Sequence, residues 1–232
     1  MKIIQLEPIG IKNDFKEQIE QEFSQNGHEI VFHETKPETD EEKIKRAKEA
    51  DILIVSNLLL SKNILEQCKN LKMISVAFAG VDHIDMNFCH ENNILVSNAA
   101  DYSTISVAEL TVSMIISLYR RIAWGDTRTR QSEGRNNFLG KELFGKTVGL
   151  IGLGRIGQQV AKYVQAFGCN TIAYNRAQKS ITGVEQKSLK EVLQQSDILS
   201  IHIPLTNETK GLLGKKELTL MKSNAILINT AR

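Results

Sequence analysis

The chain has 232 residues, 41% of them hydrophobic and 24% charged, enough for one large or two ordinary globular cores. Its 29 Lys and Arg against 27 Asp and Glu leave a net charge of +2, and no basic cluster interleaved with aromatics argues for a nucleic-acid partner. Cys68, Cys89 and Cys169 are too few and too scattered for a metal knuckle or a disulfide framework. The longest apolar stretch, 105–118, is interrupted by Ser106, Glu109, Thr111, Ser113 and Ser117, which predicts a buried helix and no membrane span. The chain opens directly on a strand-like segment, with no charged-then-apolar leader. These features predict a cytoplasmic protein that acts on small molecules, with no metal.

In chain order, residues 2–6 predict a strand, Phe15, Ile19 and Phe23 a helix that Gly27 closes, and 29–33 a second strand. Thr39 and Glu42 predict a capping box ahead of Ile44 and Ala47, and Asp51 introduces the solid apolar strand 52–55. Ser61 predicts the cap of a short helix through Cys68. Residues 73–78 form another strand, 79–82 a turn, and 94–97 a fifth strand after an intervening helix. Strands alternating with helices predict a parallel sheet covered on both faces. A long helix from Ser103 to about Ile122 leads out of this unit. From 126 to 144, Arg128, Arg130 and Arg135 lie among polar residues, with Phe138, Leu139, Leu143 and Phe144 as apolar anchors. That segment reads either as a solvated connector or as an arm packing on a second subunit.

The run 145–157, ending Gly152-Leu153-Gly154-Arg155-Ile156-Gly157, predicts a strand, a glycine turn and a helix. Gly152 permits the tight turn, Gly154 lets the backbone approach a pyrophosphate, and Gly157 lets the helix lie close on the sheet. The free amides of that helix would face the diphosphate. Ile156, Val160, Val164 and Phe167 recur at helical spacing and predict one buried face before Gly168 stops the helix. A strand over 170–174 follows, with the polar Asn175 placed 18 positions past the last glycine. Three glycines alone suit a purely structural turn as well. Further on, Ser188 and Glu191 cap a helix through Gln195, 197–203 is a strand apolar apart from Ser200 and His202, 215–221 is a short helix, and 225–229 a last strand. No internal repeat is visible.

Several separated segments resemble the D-isomer-specific 2-hydroxyacid dehydrogenases. They are Ala79-Gly80-Val81-Asp82-His83-Ile84-Asp85, Asn98 followed by 102–109, the glycine loop with its Gly145-Lys146-Thr147 approach, Ser196-Asp197 with 204–209, and Ile228-Asn229-Thr230-Ala231-Arg232. The resemblance implies an α/β architecture: a flavodoxin-like parallel-sheet substrate domain over 1–98, and a Rossmann dinucleotide-binding domain over 99–232, incomplete at its C-terminal side. It implies hydride transfer between NAD or NADP and a small 2-hydroxy or 2-keto acid, in a homodimer. Ala79 and Gly80 match the loop whose amides hold the substrate carboxylate, and Arg232 matches the arginine that binds the carboxylate and polarises the carbonyl. Arg155, Ile156 and the three glycines match the pyrophosphate contacts, Thr104 the nicotinamide side, and His202, Pro204, Thr209 and Thr230 further cofactor contacts. His202 also suits a structural role, and Thr206 and Asn207 equally suit capping the next turn.

Two departures from the family pattern shape the reading. Asn175 stands where the family usually has an aspartate for the ribose hydroxyls, and Arg176 is adjacent, so NADP is less disfavoured. The family's glutamate and catalytic histidine would fall beyond Arg232, so the expectation is of a truncated chain that binds dinucleotide without turnover. None of His28, His33, His83, His90 and His202 is assigned as the base. The alternative class is a dinucleotide-sensing, dimerising corepressor-like module, which the same fold would serve.

Overall fold

The computed structural model describes residues 1–134 and 139–231. Arg135, Phe138 and Arg232, named above, lie outside the described residues. The chain divides into two compact units, Met1–Tyr102 and Ser103–Arg232.

The first unit runs β1 (Lys2–Gln5), α1 (Asn13–Gln25), β2 (Glu29–Phe32), α2 (Asp40–Ala47), β3 (Ile52–Val55), α3 (Lys62–Leu65), β4 (Met73–Val76), α4 (Met86–Glu91) and β5 (Leu95–Asn98). Its strands are all parallel, in the order β2-β1-β3-β4-β5, the flavodoxin-like order. Leu53 and Val55 of β3 and Ile74 and Val76 of β4 are buried with Leu6, Leu60, Ile64 and Leu65 in one core. Thr39 caps α2 by accepting from the Glu42 N–H (3.2 Å), but the Glu42 carboxylate accepts from the Glu38 N–H (3.0 Å), one residue earlier than a closed capping box requires. The helix expected from Ser61 to Cys68 is shorter, ending at Leu65, and Ser61 makes no side-chain cap bond.

The second unit runs α5 (Thr104–Arg120), α6 (Ile122–Arg130), β6 (Thr147–Ile151), α7 (Arg155–Ala166), β7 (Asn170–Tyr174), β8 (Val184–Gln186), α8 (Leu189–Gln195), β9 (Ile198–Ile201), α9 (Lys215–Leu218) and β10 (Ile226–Asn229). The parallel order β10-β9-β6-β7-β8 is the dinucleotide-fold order 3-2-1-4-5 with β6 as its first strand. Ser188 and Glu191 form the anticipated capping box on α8. The short edge strand β8 was not anticipated, because Val-Glu-Gln offers neither an apolar run nor a clear alternation.

Three expectations change here. The single helix over 103–122 breaks at Arg121, whose φ of 50° is left-handed, and α6 continues to Arg130, so the first five residues of the expected connector are helical. Arg128 lies over the Trp124 ring, 4.7 Å from its centroid, and pairs with Glu133 at 2.7 Å. Second, α5 is not buried all round. Ala108, Thr111, Val112, Ile115 and Tyr119 face the core, while Leu110, Met114 and Leu118 form an exposed apolar stripe and Ile105, in the first turn, is exposed apart from it. Third, Phe167 is 46% exposed, because α7 ends at Ala166 and its C-cap turns away from the face that buries Val160 and Val164.

Both units close the leading ends of their sheets with the same clasp. Asp51, ahead of β3, accepts from the Lys2 N–H (2.8 Å) and from Lys72 Nζ (2.7 Å), and Asp197, ahead of β9, accepts from the Thr147 N–H (2.9 Å) and Lys222 Nζ (2.8 Å). Each carboxylate ties the first residue of a central strand to a lysine that precedes the next strand. The lysine and the strand amide hold Asp51 below the usual carboxylate range. Cys68, Cys89 and Cys169 are free and buried, and burial pushes the Cys68 thiol up to about 11. Among the described residues, no helix is long and apolar enough to cross a membrane, and no group of His, Cys, Asp and Glu is placed to hold a metal ion.

Candidate dinucleotide and carboxylate sites

At the carboxyl end of β6 the chain turns at Gly152, where φ is 102°. A Cβ there would stand 2.6 Å from the His202 carbonyl oxygen and 2.8 Å from Ile203 Cγ2, and one on Gly157 would stand 2.2 Å from the Gly152 carbonyl oxygen. The turn and the close helix therefore demand glycine at both outer positions. Gly154, between them, has nothing within 4 Å of where a Cβ would point, and it is exposed. It is also the N-cap of α7, with extended backbone and no side chain competing for the first-turn amides. Protein packing explains two of the three glycines; open space at the head of a helix is left to explain the third.

Side chains hold the middle of the loop. The Leu153 N–H donates to Asn175 Oδ1 (2.9 Å), and the Leu153 carbonyl accepts from Gln158 Nε2 (2.9 Å) and Lys179 Nζ (2.8 Å). Asn175 Nδ2 donates to the Ala177 carbonyl (2.7 Å), a bond that an aspartate could not make. Asn175 thus braces the loop with one acceptor and one donor. Arg176 is exposed and pairs with Glu208. Gln158, Lys179, Gln186 and Glu208 were missed in the sequence. Of these only Glu208 had been named, within the 204–209 segment and without a role.

His202 follows β9, with Nε2 2.9 Å from Ser200 Oγ, and burial lowers its pKa to about 4, so the ring is neutral near pH 7. Thr209 Oγ1 donates to the Pro204 carbonyl (2.6 Å) and accepts from the Thr206 N–H (2.8 Å), while the Thr209 N–H donates back to Thr206 Oγ1 (3.2 Å). These hydroxyls close the 204–209 turn on itself, so Thr206 takes the capping role. Thr230 Oγ1 lies 3.0 Å from Thr111 Oγ1, tying the end of β10 to α5, at whose first position Thr104 stands. Gly152, Gly154, Gly157, Asn175 and the His202 backbone thus meet around the glycine loop. Arg155 is exposed and Ile156 half-buried in the first turn of α7.

In the first unit, Ala79 and Gly80 follow β4. Asn98 Nδ2 donates to the Ala79 carbonyl (2.6 Å), and the Ala79 and Gly80 N–H groups have no acceptor among the described residues. Two free amides on a braced turn suit a carboxylate. Beside them, buried Glu7, just past β1, uses one carboxylate oxygen to accept from the N–H groups of Ser56, Asn57 and Leu58 (2.9, 2.8 and 2.8 Å) and so shapes the turn after β3. No spacing in the sequence points to Glu7. The signal is topological, since β1 and β3 flank the point where the strand order reverses.

The glycine loop fits a dinucleotide diphosphate: its open side and unopposed helix amides lie where the phosphates would sit. Residues 112–232 match the NAD binding domain of the D-isomer specific 2-hydroxyacid dehydrogenases. The chain belongs to this family. It is 41% identical over 201 residues to a D-3-phosphoglycerate dehydrogenase of Methanocaldococcus jannaschii, covering 84% of this chain and 38% of that protein. It is 38% identical over 217 residues to a glyoxylate reductase of Aeropyrum pernix, covering 87% of this chain and 64% of the relative. The chain therefore spans 38% and 64% of the lengths of these two relatives. Among solved structures, an acyclic imino acid reductase in complex with NADPH and D-Arg matches with a TM-score of 0.91 and 34% identity, over 100% of this chain and 75% of that one. The D-lactate dehydrogenase of Aquifex aeolicus, complexed with NAD and lactic acid, matches with a TM-score of 0.87 and 31% identity, over 100% and 69%. The second unit of this dehydrogenase-family chain is thus its NAD binding domain, and its cofactor is a nicotinamide dinucleotide, NAD or NADP.

Proposed function

We propose that the chain serves an NAD(P)-dependent oxidoreductase of the D-2-hydroxyacid dehydrogenase type, acting between a 2-hydroxy acid and its 2-keto acid. The first unit is the substrate domain in this reading, and the second holds the dinucleotide. The observation that carries it is Gly154, open to solvent at the head of α7 between two glycines that packing alone demands. When bound, the nicotinamide ring supplies or accepts the hydride. The chain's own residues bind and orient: the Ala79 and Gly80 amides take the substrate carboxylate, and Arg232, whose charge does not titrate, polarises the carbonyl oxygen.

The residues also favour a substrate class. The turns after β3 (56–61) and β4 (77–85) contain no Lys or Arg, and the first lies directly over the Glu7 carboxylate. A phosphorylated side chain would find no cation there, so the proposed substrate is a short 2-keto acid with no charge beyond its carboxylate, closer to what the glyoxylate reductase relative is named for than to the phosphoglycerate one. Titration with glyoxylate or oxamate in the presence of NADH should shift the Ala79 and Gly80 amide resonances. A phosphorylated three-carbon keto acid should bind no tighter. Undisturbed Ala79 and Gly80 resonances would remove the carboxylate assignment.

The partner proposed is a second copy. Leu110, Met114 and Leu118, four residues apart, present one apolar stripe on α5, and Ile105, Leu139 and Phe144 are exposed as well. Sedimentation velocity at micromolar concentration should show a dimer for the native chain and a monomer for the Leu110→Glu, Met114→Glu double variant. A monomer in both would dismiss the stripe as an interface.

A further inference from the structure

Resting on the reading of the first unit as the substrate domain, we propose that Glu7 is a positioning residue for the keto acid: its buried carboxylate fixes, through the turn 56–60, the loop whose Ala79 and Gly80 amides take the substrate carboxylate. The placement starts at β1. The Leu6 N–H donates to the Ile54 carbonyl (3.0 Å), which carries the pairing of β1 with β3 one residue past Gln5 and delivers Glu7 to the carboxyl end of the sheet. Glu7 is only 5% exposed there, and three consecutive N–H groups, those of Ser56, Asn57 and Leu58, converge on its Oε1. Consecutive amides that point to one spot form an anion-binding concavity. Here the chain fills that concavity with its own carboxylate, and bonds to a charged acceptor are roughly twice as strong as neutral ones.

Backbone bonds fasten this turn to the substrate loop. Two residues past Leu58, the Leu60 N–H donates to the His83 carbonyl (2.9 Å) and the Leu60 carbonyl accepts from the Asp85 N–H (3.1 Å), a parallel bridge centred on Ile84. Leu58, Leu60 and Ile84 are all buried in the core of the first unit, so the bridge cannot slide without opening close-packed side chains. The Ile84 N–H closes back on the carbonyl of Val81, the residue after Gly80 (3.0 Å). From the other side Asn98 holds the Ala79 carbonyl. The two amides are therefore slung between two anchors, Asn98 and Leu60, and Glu7 sets the second. A binding group of this kind tolerates a displacement of about 0.5 Å. Removing one methylene from Glu7 would draw its oxygens back by roughly 1.5 Å, well beyond that tolerance.

Titration with oxamate in the presence of NADH, beside titration with NADH alone, tests this on the native chain and on Glu7→Asp, Glu7→Ala and Glu7→Gln. Glu7→Asp should keep the fold, shift the amide resonances of Ala79 and Gly80 as well as those of 56–58, and weaken oxamate about tenfold. Glu7→Ala should weaken it further, and Glu7→Gln, which puts an acceptor back at the same reach, should recover most of the affinity. NADH affinity should stay at the native value in all three. A merely structural Glu7 would lower unfolding stability and leave the oxamate affinity of the folded protein untouched. That result in Glu7→Asp, with unmoved Ala79 and Gly80 resonances, would overturn this inference alone, even where Glu7→Ala does not fold. No oxamate binding by the native chain would overturn the carboxylate reading and this inference with it.

Discussion

Gly154→Val should fold like the native chain and lose roughly 100-fold or more of its affinity for both NADH and NADPH, whereas Gly157→Val should not fold its second unit normally. The two glycines lie three residues apart, and the difference follows from their surroundings. At Gly154 a side chain meets nothing within 4 Å, so its cost in the free protein is limited to a poorer N-cap, about 1 kcal/mol. Its branches would nevertheless occupy the space through which a diphosphate reaches the helix amides. At Gly157 the first carbon already collides with the Gly152 carbonyl at 2.2 Å, and backbone cannot yield as the end of a side chain can, so about 3 kcal/mol or more of overpacking is expected. Calorimetry beside circular dichroism separates the two. Unchanged cofactor affinity in folded Gly154→Val would remove the pyrophosphate site from this loop.

Acid should destabilise the second unit before the carboxylates titrate, and His202→Gln should flatten that slope. Burial alone holds the folded pKa of His202 at about 4, against an ordinary value of 6.5, so the unfolded chain binds the proton that the folded chain refuses. The stabilisation is complete above about pH 6.5 and is lost as pH falls toward 4, on the order of 2–3 kcal/mol at full loss. Asp51 behaves in the same sense but lower on the scale, since its folded pKa is depressed below the usual carboxylate value and its contribution disappears only as pH falls through that depressed value. Urea unfolding at pH 7 and pH 5 should differ for the native chain and differ less for His202→Gln. An identical slope in both would place the acid sensitivity elsewhere.

The parallel sheets were legible because a solid run such as Ile52–Val55 is apolar on both faces and bounded by polar residues, a pattern that few other structures satisfy. The glycine loop was legible because its residue types answer backbone demands. What escaped was set by tertiary context. β8 exists because β7 offers it an edge, not because Val184–Gln186 has a strand pattern. The exposed stripe on α5 looked like core because composition does not say which apolar face finds cover. Glu7, Lys179 and Gln186 act through partners far away in sequence or through a backbone carbonyl, and no local spacing encodes such a contact. Asn175 was read for its lost charge, while its hydrogen bonds to Leu153 and Ala177 became visible only once the turn was in place.

The paired Asp51 and Asp197 clasps sit at the amino-terminal rims of the two sheets, while the Glu7 turn, the Ala79–Gly80 amides and the glycine loop all sit at the carboxyl-terminal rims. Durability and chemistry are thereby assigned to opposite rims. Substitutions that re-letter the working rim, exchanging one keto acid or one dinucleotide for another, leave the clasps intact, so a lineage built on this plan is free to diversify its substrates while its sheets stay closed.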